Sequence, residues 1–359
     1  MEKIHVTKTF LPPMEEYQAY LEQIWARDYV TNQGPLLKEF EAKTKDYLGV
    51  KNFQLVTNGT IALQLALNAL DLTEGEIITT PFSYVATTSS ILWERCTPVF
   101  VDIEPHTFGI DASKIEAAIT SQTKAIMAVH VFGYPCDVDA IDAIAKKHGL
   151  KVIYDGAHAF AVEYGGKSLL SYGDISICSF HATKLFHTIE GGGVITADQA
   201  VADKVELKKR FGHTGDEHFV LGINGKASEF QAAMGLCNLK YIDALIAKRR
   251  KLVGLYDELL GEGLRAPEPR PRSTRNYAYY PVVLSSENHL QRVIKALNDQ
   301  NIFPRRYFYP SLNLLPYIPS GQSCPVSERI ASSIICLPLY SELETANVEK
   351  ISQIVKSVS

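Results

Sequence analysis

The chain has 359 residues, enough for two domains or for one large domain with a smaller appendage, and its 46 % hydrophobic and 21 % charged residues are those of an ordinary soluble globular protein. A formal net charge of -4 argues against a general nucleic-acid binder, though not against a small phosphorylated ligand held in a local pocket. Cys96, Cys136, Cys178, Cys237, Cys324 and Cys336 are scattered, with no C-x-x-C pair and no histidine at metal-ligand spacing, so reduced, mostly buried thiols are expected and no metal site is. Residues Met1 to Pro13 lack the apolar core of a signal peptide, and no apolar run is long enough to span a bilayer. A cytoplasmic location is expected.

From Phe53 onward short apolar runs alternate with helical patterns. Strands are predicted at Phe53–Thr57, Glu76–Thr80, Pro98–Ile103, Ala125–Val131, Val152–Tyr154, Ile175–Phe180 and Gly193–Thr196. Helices are predicted at Thr60–Leu70, over the stretch leading to Trp93, and at Val138–His148. Such alternation predicts an α/β fold with a largely parallel sheet covered on both faces. Between Lys226 and Leu260 apolar residues recur at helical spacing without a proline, which predicts one long helix or two consecutive ones. The stretch Ala266–Thr274, with Pro267, Pro269, Pro271, Arg270 and Arg272 and with Arg265 just before it, reads as a linker or surface loop. A smaller unit follows: a strand at Tyr277–Leu284, a helix at His289–Leu297, a strand at Ile334–Leu337 and a closing helix at Glu344–Val358. The division is placed at 1–245 and 246–359.

Three short segments could carry chemistry. Asn58-Gly59-Thr60 stands between a predicted strand and a predicted helix, where free backbone N–H groups and the positive dipole end attract phosphate; a simple N-cap is the plain alternative. Asp155 ends a predicted parallel strand, where open α/β sheets bind ligands, although an aspartate there also serves to cap a turn. Lys184 follows the strand ending in Ser179-Phe180 and precedes Glu190-Gly191-Gly192-Gly193, a run that implies backbone packed close to a ligand. A lysine held in a dry pocket loses its proton readily, and the neutral amine condenses with aldehydes. A carboxylate, an amine and an anion cradle are the three groups that pyridoxal phosphate requires. Rival cofactors lack their signals. No G-x-G-x-x-G follows the first strand, and Ala161 stands where a P-loop ending in Gly166-Lys167-Ser168 needs glycine.

The order of these motifs, together with Pro81-Phe82-Ser83-Tyr84, Val101-Asp102-Ile103, His130-Val131-Phe132-Gly133, Gly222-Ile223-Asn224-Gly225-Lys226 and Glu229-Phe230-Gln231-Ala232-Ala233, resembles the DegT/DnrJ/EryC1/StrS sugar aminotransferases over essentially the whole chain. The resemblance implies a pyridoxal-phosphate-dependent transferase of fold type I, with a large cofactor-binding domain and a smaller C-terminal α+β domain. It makes Lys184 the residue that carries pyridoxal 5'-phosphate and shuttles the proton, and Asp155 the partner of the pyridine nitrogen. Gly59, Thr60 and Ser179 are expected to hold the phosphate, Tyr84 to stack on the ring, and Asn224 to reach the phosphate from the neighbouring subunit of a homodimer. His158 replaces the family's usual glutamine beside the ring oxygen, which raises the expectation of a pH sensitivity that an amide lacks. Ala227 also departs from the larger residue common in the family. His181 makes the lysine segment similar to members that transfer an amino group from L-glutamate to C4 of dTDP-4-keto-6-deoxyglucose, giving the 4-amino-4,6-dideoxyglucose of surface polysaccharides such as O-antigen. Alternatives are amination at C3, a UDP-linked substrate, or a protein that binds the cofactor without turnover. Arg305, Arg306 and Tyr309 are expected to face the substrate, with arginine gripping its diphosphate.

Overall fold

The computed structural model describes residues 3–261, 264, 267–318 and 321–358. Seven strands form its central sheet: β1 (Asn52–Val56), β2 (Glu76–Thr79), β3 (Thr97–Phe100), β4 (Thr123–Val129), β5 (Lys151–Asp155), β6 (Ile175–Ser179) and β7 (Gly192–Thr196). Their order is β1-β7-β6-β5-β4-β2-β3. Every pairing is parallel except those of β7, which runs antiparallel to both β1 and β6. The loop from β6 to β7 contains no helix to carry a parallel crossover.

Alternate residues of these strands feed two cores. Ile78, Ile126, Ala128, Val152, Tyr154 and Ile195 face one, while Ile77, Ala125, Met127, Ile153, Ile177 and Val194 face the other. Both faces are therefore dry, which is why the strands read as unbroken apolar runs. Helices α1 (Met14–Arg27) and α2 (Pro35–Leu48) contribute Ile24, Leu36, Leu37 and Phe40 to the first core. Helix α3 (Gly59–Ala69) covers the second with Ala62, Leu63, Leu65, Ala66 and Leu67. The remaining longer helices are α4 (Val85–Trp93), α5 (Val138–His148), α6 (Gln199–Lys208), α7 (Glu229–Leu239), α8 (Ile242–Leu260), α9 (Glu287–Asn298), α10 (Pro325–Ser333) and α11 (Thr345–Ser357).

The stretch from Lys226 to Leu260 is two helices. A capping box of Ser228 and Gln231 starts α7, so the three residues before it stay extended. Helix α8 changes partners along its length: Ile242 lies in the core beneath the sheet, whereas Leu252, Val253, Tyr256 and Leu260 enter a separate core. That core joins α9 and α11 to the antiparallel pair β8 (Tyr280–Val283) and β9 (Ile334–Leu337). Helices α1, α2, α6 and α10 lie outside the predicted elements; α1 buries only Ile24 completely, too little for a visible apolar stripe.

The proline- and arginine-rich stretch is a strap rather than a loose linker; Arg265 and Ala266 lie outside the described residues. Arg270 forks onto both carboxylate oxygens of Glu104 at 2.8 and 2.9 Å and reaches Asp137 at 3.2 Å. Thr274 N–H donates to the Glu163 carbonyl and Gly165 N–H to that of Arg272. Prolines keep the segment out of helix and sheet, and the arginine pins it. All six cysteines are free and buried. No helix among the described residues is long and apolar enough to cross a membrane, and no cluster of metal-ligating side chains occurs among them.

Candidate active site

Because β1, β2, β5 and β6 point the same way, the loops after them open on one edge of the sheet. There they surround a cavity of about 500 Å³ that Arg305, Tyr307 and Phe308 also line. Gly59, Thr60, Tyr84, Asp155, His158, Ser179, His181 and Lys184, scattered over the sequence, all line it.

The floor is the start of α3. Asn58 caps it, its side chain accepting from the Ile61 N–H at 2.9 Å and its carbonyl from the Ala62 N–H. The N–H groups of Gly59 and Thr60 have no acceptor among the described residues, leaving two aligned donors at a positive helix end. Ser179 presses against this turn so closely that a Cβ on Gly59 would lie 3.0 Å from the serine's own. A Cβ on Gly192 would lie 2.3 Å from the Asn58 carbonyl oxygen, so glycine there lets β7 back the cradle. A phosphate group fits this arrangement of orphan donors and a hydroxyl.

Asp155 is 5 % exposed at the end of β5. One carboxylate oxygen accepts from Thr87 Oγ1 at 2.7 Å and the other from the Ala157 N–H at 3.0 Å; Ser83 in turn lies 2.7 Å from Thr87. Burial raises the pKa of the carboxyl, and the two hydrogen bonds and the Lys184 charge oppose that rise. No ion pair within 4 Å joins Asp155 to a lysine or arginine among the described residues. A cationic ring nitrogen placed between Asp155 and Lys184 would supply the missing counter-charge.

Lys184 stands on a loop fixed from several sides. Phe180 N–H donates to the Gly191 carbonyl and Thr188 N–H to that of Phe180, while Thr9 and His187 tie the N-terminal segment to the same loop. The lysine is half-buried, opening only into the cavity. Burial pushes its amine down to about 8; Asp155 opposes this and Arg305 reinforces it. Its Nζ lies 3.5 Å from the Tyr279 hydroxyl.

His158 is held in a stack, its ring nearly parallel to those of Phe132 and Phe308. Its Nδ1 accepts the Phe132 N–H at 3.1 Å, which leaves the proton on Nε2 as a donor. Burial, with repulsion from Lys184, moves the imidazole well below its ordinary pKa. A neutral ring donates as an amide would, and the direction of this shift weighs against the pH sensitivity expected at this position.

Other expected residues are distributed unevenly. Tyr84, half-exposed at the N-cap of α4, and His181, whose Nε2 is 3.5 Å from Glu190, stand at the rim. Arg305 lines the cavity with its guanidinium 4.8 Å from the Tyr307 ring centre. Arg306 lies outside the lining, turned away from it: it donates to Glu287 at 2.9 Å and to the Ser332 carbonyl at 3.1 Å, and covers Tyr309, which is also outside. Asn224 is exposed and outside the lining as well, accepting from Lys226 Nζ at 2.7 Å. Tyr307, which follows Arg305 and Arg306 in the expected substrate-facing loop, does line the cavity, whereas sequence reasoning missed Thr87, Tyr279 and Phe308. Only the contact of Tyr279 with Lys184, across 95 positions, reveals that tyrosine, and no local pattern encodes it.

Comparison with known proteins shows the family. A family model described as the DegT/DnrJ/EryC1/StrS aminotransferase family matches residues 13–356. The chain is 42 % identical to a dTDP-4-amino-4,6-dideoxy-D-glucose transaminase of Shigella dysenteriae, covering 100 % of both chains. It is 41 % identical to a transaminase of the same description from Escherichia coli, covering 98 % of each. Among solved structures it is similar to DesI crystallised in the presence of its TDP-sugar product, with a TM-score of 0.94 and 29 % identity over 99 % of this chain and 93 % of that one.

Proposed function

The chain belongs to the DegT/DnrJ/EryC1/StrS aminotransferase family, and from that premise we propose that it transfers the amino group of L-glutamate to C4 of a dTDP-4-keto-6-deoxyglucose. Its product is then dTDP-4-amino-4,6-dideoxyglucose, a precursor suited to surface polysaccharide. The observation that carries the site assignment is the cavity itself, where a low-pKa lysine, a buried unpaired carboxylate and two orphan N–H donors face one another.

When bound, pyridoxal 5'-phosphate supplies an aldehyde that takes up amines and a protonated ring that draws electrons from the reacting carbon. Lys184 would hold it, and its Nζ, when free, would take the proton from the α-carbon of glutamate and deliver one to C4 of the sugar. Asp155 keeps the ring nitrogen charged. Gly59, Thr60 and Ser179 would bind the phosphate, His158 would donate from Nε2 to the cofactor, and Tyr84 would pack against it. His181 and Arg305 meet the sugar nucleotide.

The support for Asn224 is its exposure, with Phe211, Phe219, Val220, Leu221 and Ile223 exposed in the same stretch, as suits a contact with a second copy. In a homodimer Asn224 would complete the partner's phosphate site. Mixing inactive Lys184→Ala and Asn224→Ala chains then restores part of the activity; no recovery in exchanged dimers removes Asn224 from the site. The function as a whole is tested by incubating the holoenzyme with L-glutamate and a panel of dTDP-, UDP- and GDP-linked 3-keto and 4-keto sugars. NMR of the products should show a new amine at C4 of the dTDP sugar, and preferential turnover of another substrate overturns the assignment.

A further inference from the structure

We propose that Thr87 is a positioning residue for Asp155: backed by Ser83, its hydroxyl fixes the carboxylate at the end of β5 and holds it in the charged form that a protonated ring nitrogen needs. The proposal rests on the reading of Asp155 as the partner of that nitrogen, and it adds a pair of hydroxyls from the start of α4 that no motif of the sheet contains.

Thr87 and Ser83 are 0 % and 2 % exposed. Ser83 stands just ahead of Tyr84, the N-cap of α4, and Thr87 lies in the first turn of that helix. The turn is fixed by the Thr87 N–H, which donates to the Tyr84 carbonyl, and by Ser90 Oγ, which donates to the Thr87 carbonyl at 2.9 Å. A threonine hydroxyl inside a helix can turn back to the carbonyl of the preceding turn. That of Thr87 instead reaches across 68 positions of sequence to Asp155, at 2.7 Å.

The direction of both bonds follows from counting protons. A carboxylate only accepts and a hydroxyl has one proton to give, so Thr87 spends its proton on Asp155. The 2.7 Å contact between Ser83 and Thr87 is then donated by Ser83. Both bonds run toward the carboxylate, and a hydroxyl that accepts one bond donates the next more strongly. The second oxygen of Asp155 accepts from the Ala157 N–H, so the group is held at both ends while each oxygen keeps a lone pair for a partner in the cavity. Burial alone would favour the neutral carboxyl, which cannot balance a cationic ring; among the groups that oppose burial Thr87 comes first, ahead of the Ala157 N–H and the Lys184 charge. The remaining titratable groups around the carboxylate are the buried Cys178 thiol on β6 and His158, a neutral ring in the same cavity; His130 meets Asp155 only through its backbone.

The experiment titrates Asp155 directly, by 13C NMR of the full chain freed of cofactor and labelled at its aspartate side-chain carboxyls, the Asp155 signal being assigned by its loss in Asp155→Asn. Thr87→Val keeps nearly the same shape and removes the hydroxyl, and should raise the Asp155 pKa by about 1 to 2 units, the worth of one hydrogen bond to a charged group. Thr87→Ser returns the hydroxyl and should bring the pKa back, which a mere loss of packing would not. Ser83→Ala should shift it in the same direction by less, and keeps the test decisive if Thr87→Val fails to fold. In the loaded enzyme Thr87→Val should lower kcat about tenfold or more while the KM for glutamate holds, and the same change in Asp155→Asn should cost little further. An unchanged Asp155 pKa in Thr87→Val, or in Ser83→Ala where the first variant does not fold, overturns the proposal, as does a kcat loss that adds in full to that of Asp155→Asn. The titration needs no cofactor, so a failed reading of Asp155, seen as a normal kcat in Asp155→Asn, is distinguishable from a failed role for Thr87.

Discussion

The cavity has two walls, and they are held in different ways. On the sheet side each chemical group has a bond to a near neighbour in the chain, Asn58 to Ile61, Asp155 to Ala157 and His181 to Thr183, beside the longer-range bonds of Asp155 to Thr87 and of the Lys184 loop to the N-terminal segment. On the opposite side Tyr279 is held through Asn276 by His158 and Phe160, and the Arg305 backbone pairs with Cys336. The sheet wall forms wherever strand, turn and helix form. The other wall exists only once distant segments have packed against it, so the proposed function puts the cofactor and proton carrier on the first wall and the grip on the sugar nucleotide on the second.

If that division is right, losses should be largest on the sheet wall. Lys184→Ala should lower the rate of the glutamate half-reaction by on the order of 10⁴-fold or more, because it removes both the cofactor's attachment and the proton carrier. Stopped-flow absorbance of the bound cofactor measures this, and the phosphate cradle should still retain cofactor non-covalently. Asp155→Asn should cost about 10²- to 10³-fold in kcat with little change in cofactor affinity, since the ring charge matters most as electrons arrive from the reacting carbon. A normal kcat would reduce Asp155 to a cap for the turn that Ala157 completes.

This difference also explains what could be read in advance. Strand ends, the Asn58 cap, Asp155 and the glycines after Lys184 are short patterns whose physics is local, and each was visible. Two kinds of feature were not. The reversed direction of β7 depends on a helix-free connection from β6. Helix α8, read from the sequence as a bridge out of the large domain, joins both cores, and we propose that the two units divide inside it. Tyr279 looked like one more strand aromatic, and its polar contact arises only from tertiary placement.

Arg305 tests the second wall at an intermediate scale. It lines the cavity, and no ion pair within 4 Å engages it among the described residues. Arg305→Ala should raise the KM for the sugar nucleotide about ten- to a hundredfold, the worth of a charged hydrogen bond to phosphate, while sparing the glutamate half-reaction. An equal loss in both half-reactions would place Arg305 on a group common to the two substrates.

Arg306, one position further on, should produce the smallest effect and sharpens the comparison most. Neighbours along an extended segment point to opposite sides, so if Arg305 faces the cavity, Arg306 faces away. The structure bears this out in detail: Arg306 bonds to Glu287 and to the Ser332 carbonyl, and its guanidinium lies 3.4 Å from the centre of the Tyr309 ring. Those contacts join the start of α9, the end of α10 and the loop that carries Tyr307 and Phe308. Arg306→Ala should therefore lower stability by about 1 kcal/mol, as expected for a half-exposed cluster of one ion pair, one hydrogen bond and one cation–π contact. Urea unfolding measures that loss. The KM for the sugar nucleotide should stay within about twofold of wild type, because less than ~0.4 kcal/mol of binding is at stake. A tenfold rise in KM with unchanged stability would mean that the loop turns Arg306 inward when substrate binds, and the second wall would then be rebuilt on binding instead of standing ready.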